Sequence, residues 1–516
     1  MTFDLLIRGA TVVDGSGSPR TRTDVGIRGA TVDAIGDLRA ARAAEEIDGQ
    51  ALVLAPGFID AHSHVDAELL ERPNIDAAIS QGVTTEVLGQ DGLSYAPLPP
   101  SRLAEQFEYL QTLCGLPGVT RDWGSVAEFL RHFNGRVAQN IAFLAPYGAL
   151  RLGAAGWTAA PLSPAQLRDV LASLSRALEE GAVGLAVGLD YFPQSAATRA
   201  ELVALARVVA EHDAVFVAHT RNQRLGIVAA VAEFLGVCAA AGARAHVSHL
   251  RDARALPEID RARGRGMPVT FDVYPYDMGS SMLTMYLPDR MLEGGPAETR
   301  RRLADRSLRR EMEPDLERRL APKLSELVLC NVGNSAYEPL VGSSLRQVVE
   351  SLGGSLGDGV AQLLLENNLV VGFVGHRVSE ESLDACVAHP ASVGCSDGIL
   401  VGQRPHPRAW GAFARLVARY VVDRGALSLE ECIRKLTSAT ADVFRIENRG
   451  RVQSSRPADL VLFDLQEVRD EATFQEPRRP ATGFVRVLVN GQTVWCGGTY
   501  SGRAAGAVLR SGGARE

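Results

Sequence analysis

The alternation of hydrophobic and polar positions divides the chain into a central part and two ends. From about residue 4 to 54, short alternating runs broken at glycine predict strands. Leu5-Leu6-Ile7-Arg8-Gly9-Ala10-Thr11-Val12-Val13 is echoed by Val25-Gly26-Ile27-Arg28-Gly29-Ala30-Thr31-Val32, each a strand, a glycine-containing turn and a strand. Near the other end come Ala458-Asp459-Leu460-Val461-Leu462-Phe463 and then Val485 to Trp495, where Asn490-Gly491 between apolar alternations is a strong hairpin signal. The economical expectation is one small β-sandwich built from both chain ends, residues 1–54 and 449–500, with 501–516 as a tail.

Between them, apolar strand candidates alternate with helical stretches, the pattern of a parallel α/β fold. Eight can be counted: residues 58–64, 84–91, 141–146, 183–189, 214–219, 244–249, 268–274 and 391–397. Several are continuous β-rich runs, as strands buried on both faces should be. Helical candidates fit between them, for example residues 163–180 and 199–211. Eight such units over residues 55–448 predict a (β/α)8 TIM-type barrel, whose active site lies at the C-terminal ends of the strands. The long interval before the last strand holds an Arg/Glu-rich stretch, residues 296–320, read as helical and part of an insertion at about 284–345.

The polar residues that follow these apolar runs carry the chemistry. The first run ends in His62-Ser63-His64, and strand alternation points both imidazoles to one side. The second ends in Gly89-Gln90-Asp91-Gly92, the fifth in His219, the sixth in His249 and the last in Asp397-Gly398. Each is a metal-ligand type, and their joint placement points to a divalent-metal site. Carboxylate plus imidazole suits Zn²⁺, one or two ions, with Mn²⁺, Co²⁺ or Fe²⁺ as substitutes. Such a metal lowers the pKa of a bound water and polarises a carbonyl. Hydrolysis also needs a group to take the water's proton and hand it to the leaving amine, and Asp397 is the candidate. His246, three residues before His249, falls on the opposite face, while His132, His212, His376 and His389 follow no such run.

Composition narrows the setting. The chain has 516 residues, 46% of them hydrophobic, and a net charge of −7, which gives ample core and no electrostatic footprint for nucleic acid or an anionic membrane. No apolar run approaches the roughly 20 residues of a membrane span, and Met1-Thr2-Phe3-Asp4 opens no signal-peptide pattern. Seven cysteines without regular spacing read as reduced thiols, so a cytoplasmic location is expected. Nearly all basic charge is arginine, the only lysines being Lys323 and Lys435.

Several motifs carry a resemblance that runs nearly end to end. They include Gly57-Phe58-Ile59-Asp60-Ala61-His62-Ser63-His64, Gly188-Leu189-Asp190-Tyr191, Ser248-His249-Leu250-Arg251, Tyr274-Pro275-Tyr276, Gly394-Cys395-Ser396-Asp397-Gly398 and Pro405-His406-Pro407-Arg408. With these the chain resembles the metal-dependent amidohydrolase superfamily, and more closely its N-acyl-D-amino-acid deacylase (D-aminoacylase) branch. The resemblance implies the same barrel and sandwich, with an insertion before the last strand. It implies His62, His64, His219 and His249 as metal ligands, Asp397 as the catalytic residue, and Arg251, Tyr274, Ser280 and Arg408 as the holders of the substrate's α-carboxylate. Arg251 stands where the branch commonly has Lys, which keeps the cation but gives it a planar, bidentate fork.

One departure concerns the bridge between metals. The branch places a Cys ligand after strand two, and here Asp91 occupies that position. Neither lysine lies at a predicted strand end, which excludes a carboxylated-lysine bridge. Asp91 is therefore expected as a metal ligand, with Glu86 as its substitute. The implied activity is metal-dependent hydrolysis of a small-molecule N-acyl amino acid, of D configuration by the resemblance. Alternatives are hydrolysis of a cyclic amide or an unusual N-acyl or peptidyl intermediate, and a non-catalytic barrel used for binding.

Overall fold

The computed structural model describes residues 2–73, 75–119 and 122–510. Its centre is an eight-stranded parallel sheet of β1 (Phe58–Asp60), β2 (Val83–Leu88), β3 (Asn140–Pro146), β4 (Gly184–Gly188), β5 (Val215–His219), β6 (Arg244–Val247), β7 (Val269–Val273) and β8 (Ser392–Gly394), paired in chain order. Strands β2 to β5 are buried at every position, which accounts for their unbroken apolar sequence. The first and last strands are short. They close the barrel through the segments that follow them: Asp397 N–H donates to the His62 carbonyl at 2.8 Å and His64 N–H to the Gly398 carbonyl at 3.0 Å. Ser63 and Gly398 form a parallel bridge. The barrel seam thus runs through the residues that carry the candidate metal-ligand side chains.

Local sequence signals account for the helices around it. The helices Pro164–Glu179 and Arg199–Glu211 each start at a capping box, Ser163 with Gln166 and Thr198 with Glu201. Both lie where the 3.6-residue periodicity places them. Among the described residues, no helix is long and apolar enough to cross a membrane.

Both chain ends enter one continuous nine-stranded sheet beside the barrel, joined where Val53–Pro56 pairs antiparallel with Leu460–Phe463. It has its own core, which includes Leu5, Ile7, Val25, Ile27, Leu460 and Leu488. Asn490-Gly491 forms the hairpin turn, both residues at positive φ, between Phe484–Val489 and Gln492–Cys496. The first glycine-broken run is not a hairpin: Thr2–Val12 is a single strand with a bulge between Ile7 and Ala10. Gly9 sits there at φ 62°, its N–H donating to Asp24 at 2.8 Å. A bulge and a turn call for the same left-handed glycine, so the pattern alone did not separate them.

Two boundaries also differ from expectation. The insertion is wider than 284–345, because it begins with the strand Gly279–Met282 and ends with Val371–Gly375. These two pair antiparallel in a small sheet, with Val371–Gly375 at its centre and Val328–Val332 on its other edge. The arginine-rich stretch is helical, as Pro296–Ala304 and Arg306–Arg319. Part of the expected tail is docked: the Ile141 N–H donates to the Ala507 carbonyl and the Leu509 N–H to that of Ile141, at the start of β3. Residues 511–516 of that tail lie outside the described residues.

Asp60 and Glu86 face one another in register across β1 and β2. Burial, reinforced by the charge of Asp60, pushes the Glu86 carboxyl up to about 8, with Gln139 donating to it at 3.0 Å. Between its ordinary 4.5 and about 8, the folded chain holds a proton that the unfolded chain has released. The Glu86 contribution to stability is therefore complete below pH 4.5 and is lost as pH rises through about 8. Glu86→Gln keeps an acceptor for Gln139 and removes this titration. Its melting temperature should match wild type near pH 4.5 and exceed it by about 2 °C or more above pH 8. A difference independent of pH would contradict the assignment.

Candidate metal centre

The strand ends bring four imidazoles and two carboxylates to one place at the C-terminal mouth of the barrel. His62 and His64 follow β1, Asp91 follows β2, His219 ends β5, His249 follows β6 and Asp397 follows β8. The chain reaches this arrangement through unusual backbone. Asp91, His249 and Asp397 all have positive φ, 55°, 38° and 50°, where non-glycine residues are rarely found. In the turn that carries Asp91, Gly89 has φ 80°, and a Cβ there would meet the Leu144 carbonyl oxygen at 2.1 Å. Only glycine lets that turn press against the neighbouring strand and deliver the carboxylate.

Asp91 lies between two histidine pairs. Its oxygens are 3.6 Å from His62 Nε2, 3.7 Å from His64 Nε2, 3.4 Å from His219 Nδ1 and 3.5 Å from His249 Nε2. Within the pairs, His62 Nε2 and His64 Nε2 are 3.3 Å apart, and His219 Nδ1 and His249 Nε2 are 3.0 Å apart. Two ligand atoms on one tetrahedral zinc, each about 2.0–2.1 Å from it, stand about 3.3 Å apart. The spacing therefore fits one ion per triad, with Asp91 common to both. The donor set fits as well. Asp91 Oδ1 is buried without a hydrogen-bond partner among the described residues. Burial pulls the His62 and His219 imidazoles down, but Asp91 with Asp272 holds His62 at about 9, and Asp91 with Asp190 holds His219 at about 10. The cluster calls for positive charge, which a divalent cation supplies. Glu86 is not part of it, being bonded to Gln139 within β2.

Behind the cluster stands a tier of buried carboxylates that the strand-end pattern did not reveal. Asp272, on β7, accepts from the His249 N–H at 2.7 Å and the Cys395 thiol at 3.0 Å through one oxygen. Its other oxygen is 2.9 Å from His246 Nε2 and 3.5 Å from His62 Nδ1. One carboxylate thus braces a histidine of each pair. Burial opposes its ionisation, yet His62 and His246 hold it well below the usual carboxylate range. His246 is in neither histidine pair, but it does not fall on the opposite face as expected: its ring nitrogens reach Thr270 at 2.8 Å and Asp272 at 2.9 Å, on the face of β7 that braces the cluster. Asp190, within the Gly188-Leu189-Asp190-Tyr191 motif, is 3.2 Å from His219 Nε2. Asp60 accepts from the His62 and Ser396 N–H groups at 3.1 and 2.8 Å. The sequence signal for this tier was present, since strand alternation puts Asp272 two residues before Tyr274, but nothing in it named a partner.

The centre opens into a cavity of about 360 Å³. His64, Asp91, His219, His249 and Asp397 line its floor, and Arg251, Tyr274 and Ser280 line its wall. Asp397 Oδ1 is 3.3 Å from His64 Nε2, and its other oxygen is 2.6 Å from Arg408 Nη1. Burial resists the Asp397 charge, but Arg408 and the neighbouring imidazoles hold its carboxyl well below the usual range. The Tyr274 ring lies between two guanidiniums, Arg251 at 4.8 Å and Arg408 at 4.6 Å. Arg251 donates to the carbonyls of Asp277 and His376 at 2.7 and 3.3 Å. Ser280 donates to the Phe373 carbonyl at 3.0 Å. Arg408 differs from the other three in being fully buried behind Asp397 rather than lining the cavity. Its three guanidinium nitrogens make no well-aligned hydrogen bond among the described residues.

The chain is similar to known proteins in both sequence and fold. A family model described as "Amidohydrolase family" matches residues 370–495. N-acyl-D-glutamate deacylase of Alcaligenes xylosoxydans xylosoxydans is 34% identical over 507 residues, covering 96% of this chain and 94% of that protein. The crystal structure of N-acyl-D-glutamate deacylase from Bordetella bronchiseptica, complexed with zinc and a phosphonate that mimics the tetrahedral intermediate, superposes with a TM-score of 0.83 at 31% identity, over 99% of this chain and all of that one. A D-aminoacylase structure concerned with its binuclear metal centre gives a TM-score of 0.82 at 30% identity, over 98% and 100%.

The Asp272 contacts lead to a measurable consequence. Removing a carboxylate that orients a ligating histidine costs about 10- to 100-fold in metal affinity. Asp272→Asn should weaken Zn²⁺ binding by that factor in competition with a chromophoric chelator, while the circular dichroism spectrum stays native. Unchanged affinity would show that Asp272 does not orient His62.

Proposed function

The chain belongs to the metal-dependent amidohydrolases, in the branch of the N-acyl-D-amino-acid deacylases, and from that premise we propose that it hydrolyses the amide bond of an N-acyl D-amino acid, releasing a carboxylate and the free amino acid. The observation that carries the reading is the pair of triads sharing Asp91 beside Asp397, at the floor of a cavity walled by Arg251, Tyr274 and Ser280. We assign the metal ligands as His62, His64, Asp91, His219 and His249. A divalent metal held there, zinc by the nature of the donors, supplies a water of lowered pKa and a Lewis acid for the acyl carbonyl.

The remaining steps fall to the chain's own groups. Asp397 accepts the proton of the attacking water through Oδ1, the oxygen that faces His64. As the carbon–nitrogen bond breaks, it returns that proton to the leaving amine. Arg408 keeps this carboxylate ionised and ready to accept. We further assign Arg251, Tyr274, Ser280 and Arg408 to the α-carboxylate of the substrate. Arg251 presents a guanidinium to the cavity, while Arg408, paired with Asp397 and outside the cavity lining, adds positive charge from behind the Tyr274 ring. Fixing the α-carboxylate on one side of the centre is what lets one enantiomer bring its amide to the floor. Cysteines free of disulfides support a reducing, cytoplasmic setting.

The test is amine release by metal-supplemented protein from matched N-acetyl-D- and N-acetyl-L-amino acid panels, with His249→Ala as the control. Release from the D panel that vanishes in the control is expected. Release from neither panel, with metal bound, would overturn the N-acyl amino acid reading in favour of a cyclic or otherwise unusual amide. Asp397→Asn should lower kcat by about 10²- to 10⁴-fold with metal content unchanged. A variant that keeps its rate would remove Asp397 from the proton path.

A further inference from the structure

His376 lines the same cavity but belongs to neither the metal centre nor the carboxylate holders. It follows the last strand of the insertion, Val371–Gly375, and its backbone is held at φ 59°. Left-handed backbone at a non-glycine residue persists only where the surroundings impose it, and it concentrates at ligand-contacting positions. Two contacts impose it here. The His376 carbonyl accepts from Arg251 Nη2 at 3.3 Å, and its Nε2 is 2.9 Å from the Tyr286 hydroxyl. The first contact sets the His376 backbone against the group assigned to the α-carboxylate, and the residue shares the cavity lining with it. The second engages one ring nitrogen and leaves Nδ1 without a partner among the described residues. Burial, with the charges of Lys323 and Arg251, holds this imidazole down at about 3, so it offers hydrogen bonding without charge.

The charges around it complete the picture. Of the cations lining the cavity, Arg254 is paired with Asp252 and Arg377 with Asp277. Lys323 lies behind the wall, donating to Gln223 and standing 5.4 Å over the Tyr286 ring. With Arg251 given to the α-carboxylate, a second carboxylate on the substrate would meet no unpaired cation on the cavity lining, where Glu326, exposed at the rim, has no ion pair among the described residues. Resting on the deacylase reading, we propose that His376 is a specificity-determining residue whose imidazole hydrogen-bonds the side chain of the substrate amino acid. The enzyme thereby selects N-acyl amino acids with uncharged, hydrogen-bonding side chains over acidic ones. This separates it from the N-acyl-D-glutamate deacylase it resembles.

The experiment compares kcat/KM for N-acetyl-D-glutamine, N-acetyl-D-glutamate and N-acetyl-D-methionine, three side chains of similar length, in zinc-loaded wild type, His376→Ala and His376→Asn. Asn tolerates left-handed backbone and keeps an uncharged polar group near Nδ1. Wild type should favour glutamine over both others by about 10-fold or more. His376→Ala should bring the glutamine-to-methionine ratio close to one with zinc content unchanged, and His376→Asn should restore most of the ratio. A wild-type preference for glutamate, or an equal loss on glutamine and methionine in His376→Ala, would overturn the proposal and leave the deacylase reading intact. No hydrolysis of any N-acyl amino acid would overturn both.

Discussion

The rest of the site depends on one carboxylate having four imidazoles within 4 Å. Asp91 reaches that position because the turn after β2 takes left-handed backbone at Gly89, Asp91 and Gly92, pressed so close to β3 that a side chain at Gly89 would strike the Leu144 carbonyl. A buried aspartate without a cation would be costly to ionise. Here the imidazoles hold it well below its usual range despite the burial. The charge balance is the same one that a pair of divalent ions would satisfy. Two ions that share a ligand must lie close together, so we take Asp91 as the element that sets how the two halves of the centre are spaced. A harder carboxylate in place of the branch's thiolate keeps the single negative charge and would shift the preference away from soft metals.

Barrel closure and site construction are the same event in this chain. The hydrogen bonds that join β1 to β8 are made by the backbone of His62, His64, Asp397 and Gly398, so register at the seam decides where those side chains point. Asp60 adds to this by accepting from the N–H groups of both His62 and Ser396. Asp272 then ties His249 to His62 from beneath. Such bracing gives the loops beyond the strands the rigidity that close ligand geometry requires, and it offsets the strain of three non-glycine residues held at positive φ.

Much of this was legible in the sequence, for identifiable reasons. The eight barrel strands are buried on both faces, so each stood out as an apolar run, and His219 and Asp397 marked strand ends because a polar residue there has only the barrel mouth to face. The Asn490-Gly491 turn was readable because few dipeptides favour that backbone. What escaped were features that depend on distant partners. Gly9 serves a bulge because Thr21–Arg28 pairs on both sides of it. The strands Gly279–Met282 and Val371–Gly375 are short and glycine-containing, and they become strands only against each other. Asp272 and His246 lie within a predicted strand, yet their contact is visible only once β6 and β7 are side by side. His376 follows an insertion strand, so no barrel-based pattern could place it. The departure at Asp91, by contrast, was plain from one residue, and its position between two histidine pairs fits the ligand role expected of it.

The most direct test of that centre is a calorimetric titration of metal-free protein with Zn²⁺, wild type against Asp91→Ala and Asp91→Cys. The account predicts two tight sites per chain in wild type, loss or severe weakening of both in Asp91→Ala, and recovery in Asp91→Cys, whose thiolate can span the same pair of histidine sets. If Asp91→Ala kept both sites at wild-type affinity, the carboxylate would not be the shared ligand, and the construction of the site around it would be wrong.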